Sequence, residues 1–450
     1  MVVRERDDAC PGVVDASPAD DGLIARVRLP GGRLDPDQIH ELALLARRFG
    51  TGSVDLTARA NMQLRGLAEA DLPALADAIA AAGLMPSRSH DRVRNILASP
   101  LAGRDPSALL DADAVLTALD HALCATPDLT ALSGRFLIGI DDGGLPIASA
   151  RHDLDLVALT KHAFALHVAG HDTTWRFGPA DAPAAIVRAA RAFLTARAHT
   201  GAWHIRELPG GAARFAALLA VDPAPFAGPG PVTTPGGNHA PTTPDAARLR
   251  QRGGSRPPIG VLAQSDGRFA VGALVPLGRL TRQHLAALVG LRTELRITSA
   301  RGVVVRDVTD PAATVAALEA AGLPCDPASP WRGVTACSGL GACRRALADV
   351  RTEATRHALG RSSRDTPLGG ADRSSTDRSP ADRPQALDRA DTHWVGCSRA
   401  CGKPAGATLL VAREDGTYET VPPGGAPTPT SAPPSVRPPA PGSPTPSTPV

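Results

Sequence analysis

The chain repeats itself once, and this repeat constrains its fold more than any other feature. The stretch from Asp21-Gly22 through LPGGRLDPDQIHELALLA returns as Asp266-Gly267 through LVPLGRLTRQHLAALVGL. Farther along, the segment ending at Arg59 is echoed by the segment ending at Arg301. Copies about 245 positions apart are too distant for a solenoid, so they predict two similar half-modules related by a pseudo-two-fold axis. A ligand bound at their interface would contact both copies.

Each copy shows the pattern of a small α/β sandwich. Leu23–Leu29 alternates between apolar and polar residues, as a half-buried strand does. Asp35, followed by a proline and by Gln38, predicts a capped helix that runs to Gly50. Two further strands (54–57 and 62–64) and a second helix (71–82) follow. The order strand–helix–strand–strand–helix is ferredoxin-like and predicts an α+β fold.

Two closely spaced cysteine pairs provide the chemistry. Cys337 and Cys343 are separated by five residues, and Cys397 and Cys401 by three. Four thiolates are the usual ligand set of a 4Fe–4S cluster, and the glycines around these cysteines let the backbone bend around a bulky anion. A helix predicted directly after Cys343 would point its first amides at the cluster. The segment 392–395 is predicted to be a strand that holds the second pair.

A zinc site or a set of disulfides would fit the four cysteines less well than a cluster does. A structural zinc site usually has tighter cysteine spacings than these. Disulfides require an oxidising compartment, and the sequence carries no sign of secretion. The three remaining cysteines (Cys10, Cys124 and Cys325) are expected to be a leader residue and two buried structural thiols.

Composition limits the choice of partners. The formal charge is +3 over 450 residues, which gives no reason to expect nucleic acid. Lys161 and Lys403 are the only lysines, so the abundance of arginine reflects a compositional bias and only placed arginines are informative. No secretory signal and no long apolar span is evident, so we expect a cytoplasmic protein that does not cross a membrane.

The repeat, the cysteines and the shifts in composition predict seven segments. They are a disordered leader (1–20), ferredoxin-like half-domain 1 (21–85), an α/β domain without cluster cysteines (86–221), a linker (222–257), half-domain 2 (258–330), a cluster domain (331–421) with a disordered insertion (362–389), and a Pro-rich disordered tail (422–450).

Together, the repeat and the cysteine quartet resemble the nitrite/sulfite reductase superfamily and, within it, the precorrin-3B synthases of aerobic cobalamin biosynthesis. The short chain and its close, GCSRACGKPAGATLLVAREDGTYETV, carry the finer resemblance. After the cysteines this close predicts a hairpin, with a turn at Asp415-Gly416 between two strands. The resemblance implies duplicated ferredoxin-like half-domains with two reductase-like α/β domains in pseudo-two-fold arrangement. Three basic positions of the superfamily match Thr57-Ala58-Arg59, Arg94-Asn95-Ile96 and Arg135-Phe136-Leu137, and a fourth is replaced by Leu137.

The resemblance implies an oxygen-dependent monooxygenase. It would hydroxylate precorrin-3A, a carboxylate-rich tetrapyrrole, with dioxygen and close a lactone to give precorrin-3B. Cys337, Cys343, Cys397 and Cys401 would hold the cluster, and Arg59, Arg94 and Arg135 would bind the substrate carboxylates. The family also implies a mononuclear non-haem iron, but no ligand set for it and no catalytic residue can be assigned from the sequence.

Two other functions stay open at this point. The first is a nitrite or sulfite reductase that uses sirohaem, in which Cys401 would bridge the cluster and the haem iron; the loss of a basic residue at Leu137 counts against it. The second is a non-catalytic electron-transfer protein, which would not need duplicated half-domains. No Gly-x-Gly-x-x-Gly follows a predicted strand, so electrons are expected from a separate NADH-linked reductase or a ferredoxin.

Overall fold

The computed structural model describes residues 8, 10–145, 147, 151–221, 257–362, 391–404 and 406–430. Within these residues the chain forms eight α-helices and four β-sheets. The predicted linker and most of the predicted insertion lie outside the described residues. No helix in the described part of the chain is both long and apolar enough to cross a lipid bilayer.

Half-domain 1 is a small sheet covered by two helices. Its strands β1–β5 are Ser17–Ala19, Gly22–Val27, Arg33–Leu34, Val54–Leu56 and Met62–Leu67, and its helices α1 and α2 are Pro36–Phe49 and Leu72–Ala81. Helix α1 begins at the predicted cap: a carboxylate oxygen of Asp35 accepts the Gln38 amide at 2.8 Å, and the Gln38 side chain accepts the Asp35 amide at 3.2 Å. This reciprocal pair satisfies two amides that the first helical turn leaves without partners.

The first α/β domain follows. Its strands β6–β10 are Ile96–Ala98, Ile138–Asp141, Leu154–Thr160, Ala163–Val168 and His171–Phe177, and its helices α3–α5 are Ala112–Cys124, Ala182–Arg197 and Gly211–Val221. Strands β6, β7 and β8 run parallel, whereas β8, β9 and β10 are antiparallel. The helices and the sheet share a core of their own.

Half-domain 2 repeats the order of half-domain 1. Its strands β11–β15 are Gly260–Ala263, Phe269–Ala273, Arg279–Leu280, Leu295–Ile297 and Val303–Val308, and its helices α6 and α7 are Arg282–Leu291 and Pro311–Ala320. One hydrophobic core includes residues of both half-domains. The two copies therefore fold against each other as one unit.

The two half-domains exchange one short strand each. Strand β13 pairs with β4 of half-domain 1, and β3 pairs with β14 of half-domain 2, both in antiparallel register. A bidentate ion pair reinforces the first pairing, with Arg279 donating to the Asp55 carboxylate at 2.6 and 2.9 Å. This reciprocal exchange is what a pseudo-two-fold axis requires, and it confirms the predicted duplicated α+β fold.

The second α/β domain completes the chain. It comprises β16 (Val334–Ala336), helix α8 (Val350–Ser362), β17 (Thr392–Val395), β18 (Thr408–Ala412) and β19 (Tyr418–Val421). Strands β16, β17 and β18 are parallel, and β19 is antiparallel at the edge. The strand predicted at 392–395 and the hairpin that ends the domain are confirmed.

Three sequence expectations differ from the structure. Residues 10–20, assigned to a disordered leader, contribute strand β1 and the core residue Val13 (1% exposed). The helix expected directly after Cys343 begins only at Val350, because residues 338–349 form turns. The first part of the predicted disordered tail packs against the second cysteine loop, where Thr430 and Ser398 exchange hydrogen bonds at 3.0 to 3.2 Å.

Candidate cluster and anion site

The structure brings the four predicted cluster cysteines into one neighbourhood. Cys337 follows β16 and Cys397 follows β17, and loops after neighbouring parallel strands lie at the same edge of a sheet. Burial raises the pKa of the Cys337 thiol, and the nearby Cys401 and Cys343 raise it further. Cys401, in turn, lies within electrostatic reach of Cys397 and Cys343. Two loops that are far apart in sequence thus present their sulfurs to one another.

The two cysteine loops are interlocked through Gly396. Its amide donates to the Cys337 sulfur at 3.3 Å, and its carbonyl accepts the Leu347 amide at 2.8 Å. A side chain at Gly396 would collide with Ala346, so only glycine permits this close approach. Amide hydrogen bonds to cysteine sulfur are among the factors that set the reduction potential of iron–sulfur clusters.

A buried histidine holds the loop that carries Cys401. His393 Nε2 donates to the Cys401 carbonyl at 3.0 Å, and Nδ1 lies 2.8 Å from the Thr335 hydroxyl. Burial and the nearby Arg301 lower the pKa of His393 to about 3, so the ring is neutral. Because a carbonyl only accepts, Nε2 must carry the proton, and Nδ1 is then an acceptor. The Thr335 hydroxyl proton lies between two acceptors, Nδ1 and the Thr392 carbonyl at 3.1 Å.

Arg301 anchors the same loop from half-domain 2. Its Nη2 donates to the Gly402 carbonyl at 2.5 Å, and burial lowers the pKa of its guanidinium. Gly402 has φ of +81°, a conformation that favours glycine. Arg65 of half-domain 1 plays the matching role for the other loop, donating to the Ala342 carbonyl at 2.8 Å while it pairs with Asp21.

Helix α8 still directs its N-terminus at the first cysteine loop, although it begins later than expected. Gly339 has φ of +78° and packs against Val350, the first residue of α8. Asp349 caps the helix by accepting the Thr352 amide at 3.2 Å. The positive end of the helix dipole therefore faces the Cys337–Cys343 loop, where it would favour anionic sulfur.

The residues present fit an iron–sulfur cube better than a single metal ion. Among the described residues, no three His, Cys, Asp or Glu side chains are arranged to hold one metal ion. Cysteines around a cube are spread more widely, because four irons lie between the sulfurs. The four cysteines are also free thiols, of which Cys401 is exposed and the other three half-buried. That they bind 4Fe–4S stays a prediction, and no iron ligand set is added to it.

Arg94 is engaged in a structural ion pair. Its Nε and Nη2 donate to the Asp120 carboxylate at 2.7 and 2.6 Å, and Nη1 donates to the Leu84 carbonyl at 3.0 Å. Burial would lower the pKa of Arg94, but the contact with Asp120 outweighs it and raises the pKa. Substrate binding by Arg94 stays a prediction, and it would have to compete with this carboxylate.

Arg59 and Arg135 do lie near each other. Arg59 Nη1 donates to the Gly134 carbonyl at 3.3 Å, next to Arg135 in the chain. Arg135 is half exposed, pairs with Asp8 at 3.0 Å and lies over the Trp203 ring at 4.7 Å. Leu137, which replaces a basic residue of the superfamily, is 3% exposed and belongs to the core.

Two further arginines of this region, Arg26 and Arg28, are marked by no pattern in the sequence. Arg28 is 1% exposed, and burial, with the nearby Arg26, lowers its pKa to about 10. The alternation of Leu23–Leu29 placed Arg26 and Arg28 on the polar face of a strand, which is why neither stood out. His393 and Arg301 were missed because their roles depend on loops distant in sequence. A surface cavity of about 260 Å³ in half-domain 2, lined partly by Leu291 and Val305, includes no predicted site residue.

The fold is of the nitrite/sulfite reductase type, and a candidate cluster site lies in its second α/β domain. Residues 17–82 match the family described as the nitrite/sulfite reductase ferredoxin-like half domain. A solved structure of the Mycobacterium tuberculosis NirA protein matches this chain with a TM-score of 0.62 and 20% sequence identity. The match covers 88% of this chain and 73% of the NirA chain. That likeness shows the fold.

Curated relatives carry two different names. The chain is 29% identical to a ferredoxin–nitrite reductase of Synechococcus elongatus over 423 residues, which is 86% of this chain and 75% of that protein. It is 26% identical to the chloroplastic ferredoxin–nitrite reductase of Zea mays over 85% of this chain and 68% of that protein. A precorrin-3B synthase of Sinorhizobium is 36% identical, but over 143 residues, which is 32% of this chain and 30% of that protein. These matches support a place in the nitrite/sulfite reductase superfamily.

Proposed function

We propose that the chain is an oxidoreductase that takes single electrons through a 4Fe–4S cluster at Cys337, Cys343, Cys397 and Cys401. The observation that carries this proposal is the mutual proximity of the four sulfurs at one edge of the β16–β17–β18 sheet. Such a cluster stores one electron at a time, and its potential responds to burial and to hydrogen bonds at sulfur. Gly396 and the N-terminus of α8 supply those influences here.

The extent of the matches favours reduction of nitrite or sulfite at a sirohaem beside this cluster. The relatives that span most of the chain are ferredoxin–nitrite reductases. When bound, the haem would supply the iron at which a small anion is reduced. Arg59 and Arg135 would hold the anion through charge-assisted hydrogen bonds, and Cys401 would be the cysteine nearest the haem.

The residues at the four basic positions favour a second candidate, the oxygen-dependent conversion of precorrin-3A to precorrin-3B. Leu137 is buried and Arg94 is held by Asp120, so two of the four positions offer no free cation to a small anion. A large substrate with many carboxylates needs arginines distributed over a wider surface, which Arg26, Arg59 and Arg135 provide. Of the two candidates, only this one would involve a second, mononuclear iron.

An acidic electron-transfer protein, such as a ferredoxin or a ferredoxin-like reductase component, is the proposed electron donor. Arg344, Arg345 and Arg399 are exposed on the two cysteine loops, and Leu340 between the first pair is 58% exposed. Positive charge around a redox centre steers an acidic partner, and an exposed leucine gives the contact an apolar centre. Raising the salt concentration should therefore slow electron transfer from ferredoxin.

Chromophore content and turnover separate the candidates. Anaerobically purified protein should contain about four irons and four sulfides per chain if the cluster is present. Extractable sirohaem, with turnover of nitrite or sulfite by reduced ferredoxin, would establish the first candidate. A cluster without sirohaem, with dioxygen-dependent turnover of precorrin-3A, would establish the second. Protein that has a cluster but turns over neither substrate would leave only an electron carrier and refute both enzymatic proposals.

A further inference from the structure

Arg28 is a buried cation whose charge the described residues do not neutralise by an ion pair. Its side chain lies after strand β2 and is 1% exposed. Its Nη atoms donate to the Pro11 carbonyl at 3.0 Å and to the Cys10 sulfur at 3.5 Å, while its Nε is buried without a hydrogen-bond partner. Keeping a charge away from water is costly unless an opposite charge accompanies it. The environment of Arg28 is therefore built for an anion.

Three more arginines surround this position. Arg26, Arg59 and Arg135 act electrostatically on Arg28 or on one another, and each lowers a neighbour's pKa. Among the described residues, neither Arg26 nor Arg59 forms an ion pair, and Arg135 pairs only with Asp8. We refer to Arg26, Arg28, Arg59 and Arg135 as the arginine cluster. Three carboxylates act on these four cations: Asp8 by an ion pair with Arg135, and Asp91 and Asp153 from a greater distance. One positive charge remains in excess, as at sites for multiply charged anions.

The N-terminal segment fills this cluster with its own acceptors. The Asp8 carboxylate accepts from Arg135 at 3.0 Å and from the Ser133 hydroxyl at 2.8 Å. The Cys10 sulfur accepts from Arg26 at 2.7 Å, and the Pro11 carbonyl accepts from Arg28. The Asp8 side chain is 5% exposed and Cys10 is 7% exposed, so the segment covers the arginines closely.

The contacts that hold this segment to the rest of the protein differ on the two sides of Gly12. Val13 packs in the shared core of the half-domains, and the amides of Val13 and Val14 donate to Asp91. Asp8, Cys10 and Pro11, by contrast, are held to the arginine cluster by polar contacts. We refer to Asp8 together with residues 10–12 as the N-terminal strap. Its polar contacts are ones that another anion can replace.

We propose that the N-terminal strap is an internal ligand of the arginine cluster, which a carboxylate-rich tetrapyrrole must displace to bind. The proposal rests on the proposed function, since both candidates bring such a tetrapyrrole to this protein: sirohaem as a cofactor or precorrin-3A as a substrate. Asp8 occupies the position of one ligand carboxylate, and Arg26 and Arg28 become binding residues once the strap leaves. In protein that already holds a tetrapyrrole, the strap is displaced from the start.

The test uses the full chain, uroporphyrin as a carboxylate-rich probe, and alkylation of Cys10 followed by peptide mass spectrometry. In ligand-free protein Cys10 should react slowly, and saturating uroporphyrin should accelerate its alkylation at least fivefold. Asp8→Asn keeps the shape of the side chain and removes its charge, so Cys10 should react faster and uroporphyrin should bind about three- to tenfold tighter. Asp37→Asn is the matched control, because Asp37 is an exposed carboxylate in the first turn of helix α1, outside the cluster and the strap. It should change either quantity less than twofold.

Three results would overturn the proposal. They are unchanged Cys10 protection when uroporphyrin is bound, no gain in uroporphyrin affinity in Asp8→Asn, and no uroporphyrin binding by any variant. The proposed function fails separately: displacement of the strap in a protein that turns over neither nitrite, sulfite nor precorrin-3A would refute the enzyme and keep the strap. An active enzyme whose Cys10 stays protected throughout would refute the strap alone.

Discussion

The two α/β domains share a scaffold and differ in what their loops carry. In both sheets three parallel strands pair in the same register, with their first residues opposite one another. Ser99 therefore follows β6 where Cys337 follows β16. Ser99 is fully buried, and its hydroxyl accepts the Leu101 amide at 3.2 Å. Cys337, by contrast, is half-buried and lies within electrostatic reach of Cys343 and Cys401.

A second pair of equivalent positions shows the same contrast. The second residue of β7 is Gly139, and the second residue of β17 is His393. A side chain on Gly139 would collide with the ion-paired His152 and Asp155, so no side chain can project from this position of the first sheet. His393 instead reaches out to the carbonyl of Cys401. The sheet topology therefore fixes where the loops lie, and the residue types in and beside the loops decide whether cysteine sulfurs lie at that edge.

In the two half-domains, an offset of one residue between otherwise equivalent positions gives two arginines different roles. The turn after β4 closes with the Thr57 amide bonded to the Asn61 carbonyl, and the turn after β14 closes in the same way between Thr298 and Gly302. By these bonds Arg301 corresponds to residue 60, one position beyond Arg59. Arg59 accordingly belongs to the arginine cluster, whereas Arg301 reaches the loop of Cys401.

The largest effect is expected from making the second sheet resemble the first. Cys337→Ser places a hydroxyl where the first sheet has Ser99, and a hydroxyl is a poor ligand for cluster iron, so iron and sulfide per chain should fall to below about a tenth of the wild-type content. Iron and sulfide analysis of anaerobically purified protein measures this. Cys124→Ser, outside both loops, should keep its iron. A full iron content in Cys337→Ser would remove the site assignment.

The next largest effect is expected from Arg94, and it tests whether this arginine has a structural role in the first α/β domain. Arg94→Met leaves the half-buried Asp120 carboxylate without its partner. Because breaking a fully buried pair costs about 3–5 kcal/mol in the free energy of unfolding, we expect a loss up to about that size. Chemical denaturation at pH 7 measures the loss. Arg191→Met breaks an exposed pair with Asp128 in the same domain and should change stability little. A stable Arg94→Met protein with weakened uroporphyrin binding would instead make Arg94 a ligand residue.

One buried group in each α/β domain should make the stability of the protein depend on pH, and the two dependences should have opposite signs. Burial, with Asp141 and Asp105 nearby, raises the pKa of Asp142 to about 7, so its contribution to stability declines as pH rises from about 4 to 7. Burial lowers the pKa of His393 to about 3, so its contribution is lost as pH falls from about 6.5 to 3.

Asp142→Asn isolates the first of these contributions. Because the amide does not ionise, the variant should be more stable than the wild type at pH 8, on the order of 1–3 kcal/mol, and the difference should shrink towards pH 5. Thermal unfolding from pH 5 to 8 measures it. Asp128→Asn, an exposed carboxylate, is the control. A stability difference independent of pH would show that Asp142 is ionised in the native protein.

The smallest effect concerns the arginine that reaches the second cysteine loop. Arg301→Met removes a positive charge beside Cys401 and should lower the cluster potential by roughly 20–60 mV, since a nearby cation stabilises the more negative reduced state. A redox titration followed by electron paramagnetic resonance measures the shift. Arg268→Met, an exposed arginine of the same half-domain that pairs with Asp266, should leave the potential unchanged. An unshifted potential in Arg301→Met would mean that its charge does not reach the cluster.

Much of the fold could be predicted because its signals are local. The cap at Asp35 and Gln38, the strand at 392–395 and the hairpin at the end of the second α/β domain all depend on residues close in sequence. The helix after Cys343 was placed too early because its run of good helix formers outweighed a constraint that is not local: the loop must interlock with Gly396. Residues 10–20 differ from expectation for the same reason, since this stretch contains two prolines and a glycine and gains its structure from distant partners.

The sequence by itself determined the duplication, the α+β class and the four cysteines, because repeats, periodicity and spacing are written along the chain. Only the tertiary structure decided which arginines are free. Arg94, which the superfamily pattern marks, is held by Asp120. Arg26 and Arg28, which no pattern marks, form no ion pair among the described residues, although Arg26 is half-buried and Arg28 is buried. A charge acquires its role from the opposite charges that folding places around it, and those come from residues far away in the sequence.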